Sequence, residues 1–259
     1  MITYAQKLWR NRNLLFELTN KELKARYKSA YLGFLWAFLN PLLQMVVLSV
    51  VFSLVLRINV PDYPLFLLSG LIPWTFFSLS VTAGTGSLIN NRDLIKKIPF
   101  PREFLPISAV LAQFYNFLIS LALLFVFLIV SLKLNLNWSL SLLLVAIILE
   151  LVFILGFVLL TASLDIYYRD VGFIVSALVL VWFYLTPIFY PISFVPERFL
   201  SIYSLNPLVG ITTLFQTSLL GGDLPSIKIL LPSVIVPFFL LTLGYIIFKK
   251  RELFFADWV

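Results

Sequence analysis

Long apolar stretches free of lysine and arginine recur six times along the chain, at residues 32–56, 63–89, 105–132, 140–164, 171–190 and 229–248. Each supplies the roughly 20 residues that a helix needs to cross the hydrocarbon core of a bilayer. Their apolar character is continuous, whereas the strands of an outer-membrane barrel alternate apolar and polar residues in segments of about ten. The pattern predicts an all-α polytopic membrane protein with six transmembrane helices, in one membrane domain spanning residues 1–259.

Composition sharpens this reading. Of 259 residues, 61% are apolar and 12% charged, and the mean hydropathy is +1.02, far outside the range of soluble domains. Cysteine and histidine are both absent, which excludes disulfide frameworks, zinc sites, thiol nucleophiles and imidazole bases. The net charge of +7 raises nucleic acid as a partner, but too few charges lie outside the apolar runs to build a continuous basic groove. They are distributed by side instead. The segment before the first run, the second and fourth loops and the tail together hold fifteen of the nineteen Lys and Arg residues, against Arg57, Lys133, Arg198 and Lys228 in the remaining loops. Basic residues are retained on the cytoplasmic side, so both the N and C termini are expected there. The first run begins only at residue 32 and is too long for a signal-peptide core, so no cleavage is expected.

Three segments are not spans. Residues 4–16 place Tyr4, Leu8 and Leu15 on one helical face, beside Trp9 and Phe16, with Lys7, Arg10 and Arg12 around the remainder. This predicts an N-terminal interfacial helix. Thr19 and Glu22 have capping-box spacing, so a second short helix is expected to start there and run through the basic residues 21–28. That run reads either as positive-inside charge or as a holder of lipid phosphate. The second loop, 89–106, is short, basic and punctuated by three prolines, with room for one or two helical turns. In the long fifth loop, 187–228, Asn206 is a good N-cap, Pro207 a good first residue and Gly221-Gly222 a good stop. A helix over 207–220 is expected, with a shorter partner over 196–203, both re-entering the outer half of the membrane so that their backbone is satisfied against protein.

Glu150 is the one ionisable residue near the middle of a run. Gln44 and Asn116 lie at similar depth, so the three are expected to form a mid-membrane polar cluster serving as interhelical glue, with a functional intramembrane carboxylate as the competing reading. Aromatic residues make up 17% of the chain. Trp36, Phe38, Trp74, Phe77, Trp182 and Tyr184, with Phe76 and Phe183, serve either as packing and interface belts or as faces on which sugar rings stack. No G-x-x-x-x-G-K-[ST] segment is present, so ATP is not bound here through a P-loop.

Four strings then carry more than their chemistry: KELKARYKSAYLGFLWAFLNPLLQMVVLSVVF (21–52), SGLIPWTFFSLSVTAGTGSLINNRDLIKKIPFP (69–101), YYRDVGFIVSALVLVWFYLTPIFYP (167–191) and LNPLVGITTLFQTSLLGG (205–222). Together they resemble the type-2 ABC exporter permeases, in particular the polysaccharide branch that exports O-antigen, capsule or teichoic acid chains, with O-antigen favoured. The resemblance implies a homodimer in the bacterial inner membrane with a pore between protomers. Two separate ATPase subunits would bind ATP and Mg, and this chain would be a permease with no cofactor or catalytic residue of its own. It maps the cytoplasmic interfacial segment onto 1–31 and the coupling loop onto 90–104, with Asn91, Arg92, Asp93, Leu94, Ile95, Lys96 and Lys97 docking on the ATPase. The outer gate maps onto 187–228, with Pro196, Tyr203, Asn206, Pro207 and Gln216. Many members of that family carry Arg where this chain has Gln216, so nothing inferred from that arginine transfers. A lipid diphosphate-linked polysaccharide would bring its phosphates to Lys24, Arg26 and Lys28 and pass its sugars over aromatic faces.

Two other classes compete. A stand-alone secondary transporter would use Glu150 and the helix break at Pro187 and Pro191, and would carry an internal repeat, which the two halves do not show. A membrane-embedded glycosyltransferase or phosphatase would need clustered acidic residues. Asp165, Arg169 and Asp170 alone gather, and they read as an ion-paired turn at a span end.

Overall fold

The computed structural model describes residues 11–27, 31–55, 60–131 and 139–258, and among them the chain is helical with no strand. Helix α1 (Arg12–Tyr27) precedes α2 (Trp36–Ser49), whose end relaxes into a π-helical turn at Val50–Val55. Then come α3 (Tyr63–Thr85), the short α4 (Ser87–Asn90) and α5 (Arg92–Lys97), and the long α6 (Phe104–Val130) and α7 (Ser139–Asp165). The chain closes with α8 (Asp170–Tyr184), α9 (Glu197–Tyr203), α10 (Pro207–Leu220), α11 (Ile227–Arg251) and a last turn, α12 (Phe255–Trp258).

Among the described residues, five segments are long and apolar enough to cross a membrane: Trp36–Ser53, Tyr63–Thr85, Phe104–Val130, Ser141–Asp165 and Ile227–Phe254. The expected span at 171–190 is shorter than predicted. Its helix, α8, ends at Tyr184 after 15 residues, about 22 Å at 1.5 Å per residue, because Pro187 disfavours helical backbone before it and supplies no N–H.

Helix α3 is apolar around its whole circumference and is buried along most of its length, as such a helix must be. It packs against α2, α6, α7 and α10, while α7 packs most extensively against α11. Small residues permit the closest approaches. A Cβ at Gly156 of α7 would run into the backbone of Leu240 and Leu241, and one at Gly244 of α11 would meet the Gly156 carbonyl. Thr85 and Thr161 share a hydrogen bond of 2.8 Å between α3 and α7, which satisfies two hydroxyls without solvent.

At the N-terminal end the expectation of two helices is corrected. Helix α1 runs unbroken through Thr19, whose hydroxyl donates to the Leu15 carbonyl at 2.8 Å. Thr19 therefore bonds back along its own helix, as interior Ser and Thr do, and caps nothing. Residues 4–10 of the expected interfacial helix lie outside the described residues.

Candidate functional site

Most of the polar and charged site residues expected from the sequence gather at the two ends of the bundle. At the end where α3 hands over to α6, α4 and α5 form a compact elbow around Asn91. Its Nδ2 donates to the Ser87 carbonyl at 2.9 Å, and its Oδ1 accepts from Nζ of Lys21 on α1. Asn91 and Ile95 are buried, whereas Arg92, Asp93, Lys96 and Lys97 are exposed and Leu94 is half-buried. The expected coupling set thus divides by face. Asn91 and Ile95 turn inward and hold the elbow, and four charged side chains stay exposed on its outer face. Lys21, 70 residues from Asn91, was not among the expected site residues, and no local spacing signals a pair so distant.

Lys24 is exposed on α1, on the rim of an apolar groove of about 720 Å³ between α1 and α6 that Arg12, Phe16, Leu111 and Tyr115 also line. Arg26 lies two residues further along α1, and its side chain, like Lys28, is outside the described residues.

The other end is organised around residues 184–191, an irregular stretch whose carbonyls find side-chain donors one after another. Tyr190 donates to the Tyr184 carbonyl at 3.1 Å, Asn206 Nδ2 to Leu185 at 2.9 Å, Gln216 Nε2 to Pro187 at 2.7 Å and Tyr63 to Phe189 at 2.7 Å. The Thr186 carbonyl accepts from the Ile188 N–H at 2.8 Å. Non-helical backbone among apolar helices persists when it is satisfied in this way. The stretch comes close to α3 at Gly70, where a Cβ would sit 3.2 Å from Ile188 Cα.

Helix α10 begins and ends as its sequence signals require. Asn206 accepts the Leu208 N–H at 3.0 Å as N-cap, Pro207 follows, and Gly221 at φ 81° closes the helix. Nearly all of α10 is buried among α3, α7 and α11. Pro196 opens α9 by accepting the Phe199 N–H at 2.9 Å. Tyr203 at the end of α9 shares a 2.7 Å hydrogen bond with Tyr190, and burial followed by that bond holds its phenol above the ordinary value.

The aromatic candidates separate by exposure. Tyr184 is 60% and Trp36 40% exposed, and Phe38 and Trp182 are half-buried. Phe77 is a correction to the stacking set. It is fully buried and packs 5.7 Å from Phe153 and 5.6 Å from Trp182, so its ring is covered by protein. Trp74 is nearly buried as well, with one edge in a groove of about 620 Å³ between α2, α3 and α8 that Gln44 and Tyr184 also line.

The mid-membrane polar residues do not meet as expected. Gln44 is exposed in that groove. Asn116 is buried and donates to Gln113 at 3.3 Å in a separate cavity of about 160 Å³ between α2, α3 and α6. Glu150 is 1% exposed on α7. Nor does Asp165 close the expected ion-paired turn. It accepts the Gly172 N–H at 3.0 Å and so caps the start of α8, a favourable place for a carboxylate.

An apolar helical bundle with a charged elbow at one end and a side-chain-stitched irregular stretch at the other is the architecture of a multi-pass membrane protein. The chain belongs to the ABC-2 type transporter family, whose description matches residues 13–220. It is 37% identical to the O-antigen export system permease protein RfbA of Myxococcus xanthus, over 99% of each chain. It is 35% identical to the protein of the same name from Klebsiella pneumoniae, over 95% of this chain and 94% of that one. The polysialic acid transport protein KpsM of Escherichia coli is 24% identical, over 90% of this chain and 91% of that one. The chain is an ABC exporter membrane subunit.

Proposed function

We propose that this chain exports a lipid diphosphate-linked polysaccharide of O-antigen type from the cytoplasmic to the outer side of the inner membrane, through a pore between two copies of itself. ATP and Mg are bound by two copies of a separate ATPase subunit, which dock on the exposed face of α5 through Arg92, Asp93, Lys96 and Lys97. The observation that carries this reading is that elbow: a helix of six residues, anchored by Asn91 and Ile95 and charged on its free face, on a chain without a P-loop. The end-to-end similarity to permeases named for O-antigen export supports the class of cargo.

In this reading α8 and the stretch after it make the fifth of six crossings, both termini are cytoplasmic, and α9 and α10 re-enter the outer leaflet as the gate. The apolar groove shared by α2, α3 and α8 faces the second copy and the pore, with Tyr184 on its wall, and Trp36, Phe38 and Trp182 offer further sugar-stacking faces outside it. Lys24, Arg26 and Lys28 receive the diphosphate at the cytoplasmic interface, where charge-assisted contacts are strongest. Gentle purification from native membranes, followed by mass spectrometry of what stays bound, tests the proposal. One P-loop ATPase per permease is the expected result, and active transport without such a partner would redirect attention to Glu150 and an ion gradient.

A further inference from the structure

The end of the chain is clasped to the loop that follows the coupling elbow. Lys249, in the last turn of α11, sets Nζ 2.7 Å from Glu103 Oε2 and 2.7 Å from Glu252 Oε2. Glu103 is 1% exposed and stands at the N-cap position of α6. Arg102 completes the clasp. Its backbone N–H donates to Glu252 Oε1 at 3.0 Å, and its guanidinium donates to the Glu252 carbonyl oxygen. Burying a carboxylate is costly unless a cation compensates its desolvation, and the Lys249 ammonium 2.7 Å away is that cation for Glu103.

Beyond the clasp the chain folds back under the elbow. Phe255 is fully buried in the same apolar cluster as Ile95 of α5, Leu18 of α1 and Phe248 of α11, its ring 5.2 Å from that of Phe248. Tyr167, in the turn between α7 and α8, is held between Trp258 at 5.2 Å and the Arg251 guanidinium at 5.1 Å. The covalent path from α5 to α6 is weak by comparison. After Ile98 closes α5 by donating its N–H to the Leu94 carbonyl at 3.1 Å, it runs through Pro99, Phe100 and Pro101 outside any helix, and the two prolines contribute no donors.

We propose that residues 249–258 are a strut that makes the elbow and the cytoplasmic ends of α6, α7 and α11 move as one body. A push on α5 then reaches the spanning helices and is not absorbed in the proline-punctuated loop. Lys249 is a positioning residue in this scheme and Phe255 the plug that seats Ile95. The inference rests on the coupling role given to α5 above.

The test uses the complex with its ATPase partner, in cells and reconstituted in lipid. Lys249→Met keeps the apolar stem and removes the cation. The partner should stay bound and hydrolyse ATP at close to the wild-type rate while surface glycan falls about tenfold, the scale of an ordinary coupling energy. The pair Glu103→Lys with Lys249→Glu keeps one cation between two carboxylates and should restore export. Unchanged export in Lys249→Met, or a loss that the paired exchange does not recover, overturns the strut. Should Lys249→Met fail to accumulate, Glu252→Gln loosens the clasp while keeping the Lys249–Glu103 contact, and wild-type export per ATP in that variant overturns it equally. The coupling reading fails by a different sign: Lys96→Glu with Lys97→Glu, which leaves the clasp intact, would retain the partner in full amount.

Discussion

Gln216 on α10 donates to the Pro187 carbonyl across 2.7 Å, tying an almost wholly buried short helix to the stretch that ends α8. Replacing it with Leu leaves a buried carbonyl without that donor, at a cost of about 1–3 kcal/mol. Gln216→Leu should lower the thermal midpoint in detergent by several degrees. Asn206→Ala should act on the same stretch, and the double variant should depart from additivity because both side chains hold one segment. Strictly additive midpoints would mean that the two bonds hold independent segments.

Gly156 allows a close approach between α7 and α11, and any Cβ there strikes the Leu240 and Leu241 backbone. Backbone cannot yield as a side-chain tip does, so Gly156→Ala should cost at least the ~1–3 kcal/mol of an overpacked core. The readout is the fraction of monodisperse protein by size-exclusion chromatography, and a wild-type profile would refute the close packing.

Phe77 and Tyr184 should part ways on truncation. Phe77→Ala removes a fully buried ring from an aromatic cluster and should destabilise the fold by about 3–5 kcal/mol, lowering export of short and long glycans alike. Tyr184→Ala should leave the thermal midpoint near wild type and slow long chains selectively. Equal export of all lengths by the Tyr184 variant would remove it from the glycan path.

Lys24→Glu combined with Arg26→Glu should reduce export about tenfold or more, as expected when charged hydrogen bonds to phosphate are lost, with the ATPase partner still bound. Normal export from that variant would dismiss these residues as the phosphate site.

Glu150→Gln preserves shape and hydrogen-bonding capacity and should leave export and its pH dependence unaltered. A lost or pH-shifted activity would revive an ion-coupled mechanism.

The linear pattern determined the class of this protein. Hydrophobic run length marks five helices long enough to span, because a bilayer demands about 20 apolar residues whatever surrounds them, whereas the run at 171–190 yields a helix of only 15 residues. Asn206, Pro207 and Gly221 marked α10 to the residue, since caps act through neighbours in sequence. The four quoted strings gave the family, and the absent P-loop pointed to a partner. Tertiary structure decided what depends on contacts between distant segments. Thr19 had capping-box spacing, yet packing α1 against α6 carried the helix through it. Phe77 and Tyr184 are chemically similar candidates in sequence, and burial against Phe153 and Trp182 separates them. Gln44, Asn116 and Glu150 share a depth, but depth does not fix the direction a helix face points. The clasp of Lys249 on Glu103 joins residues 146 apart, and no local period encodes such a pair. Charge and hydropathy are properties of single positions and survive in the linear text, whereas facing, burial and pairing are properties of two helices at once.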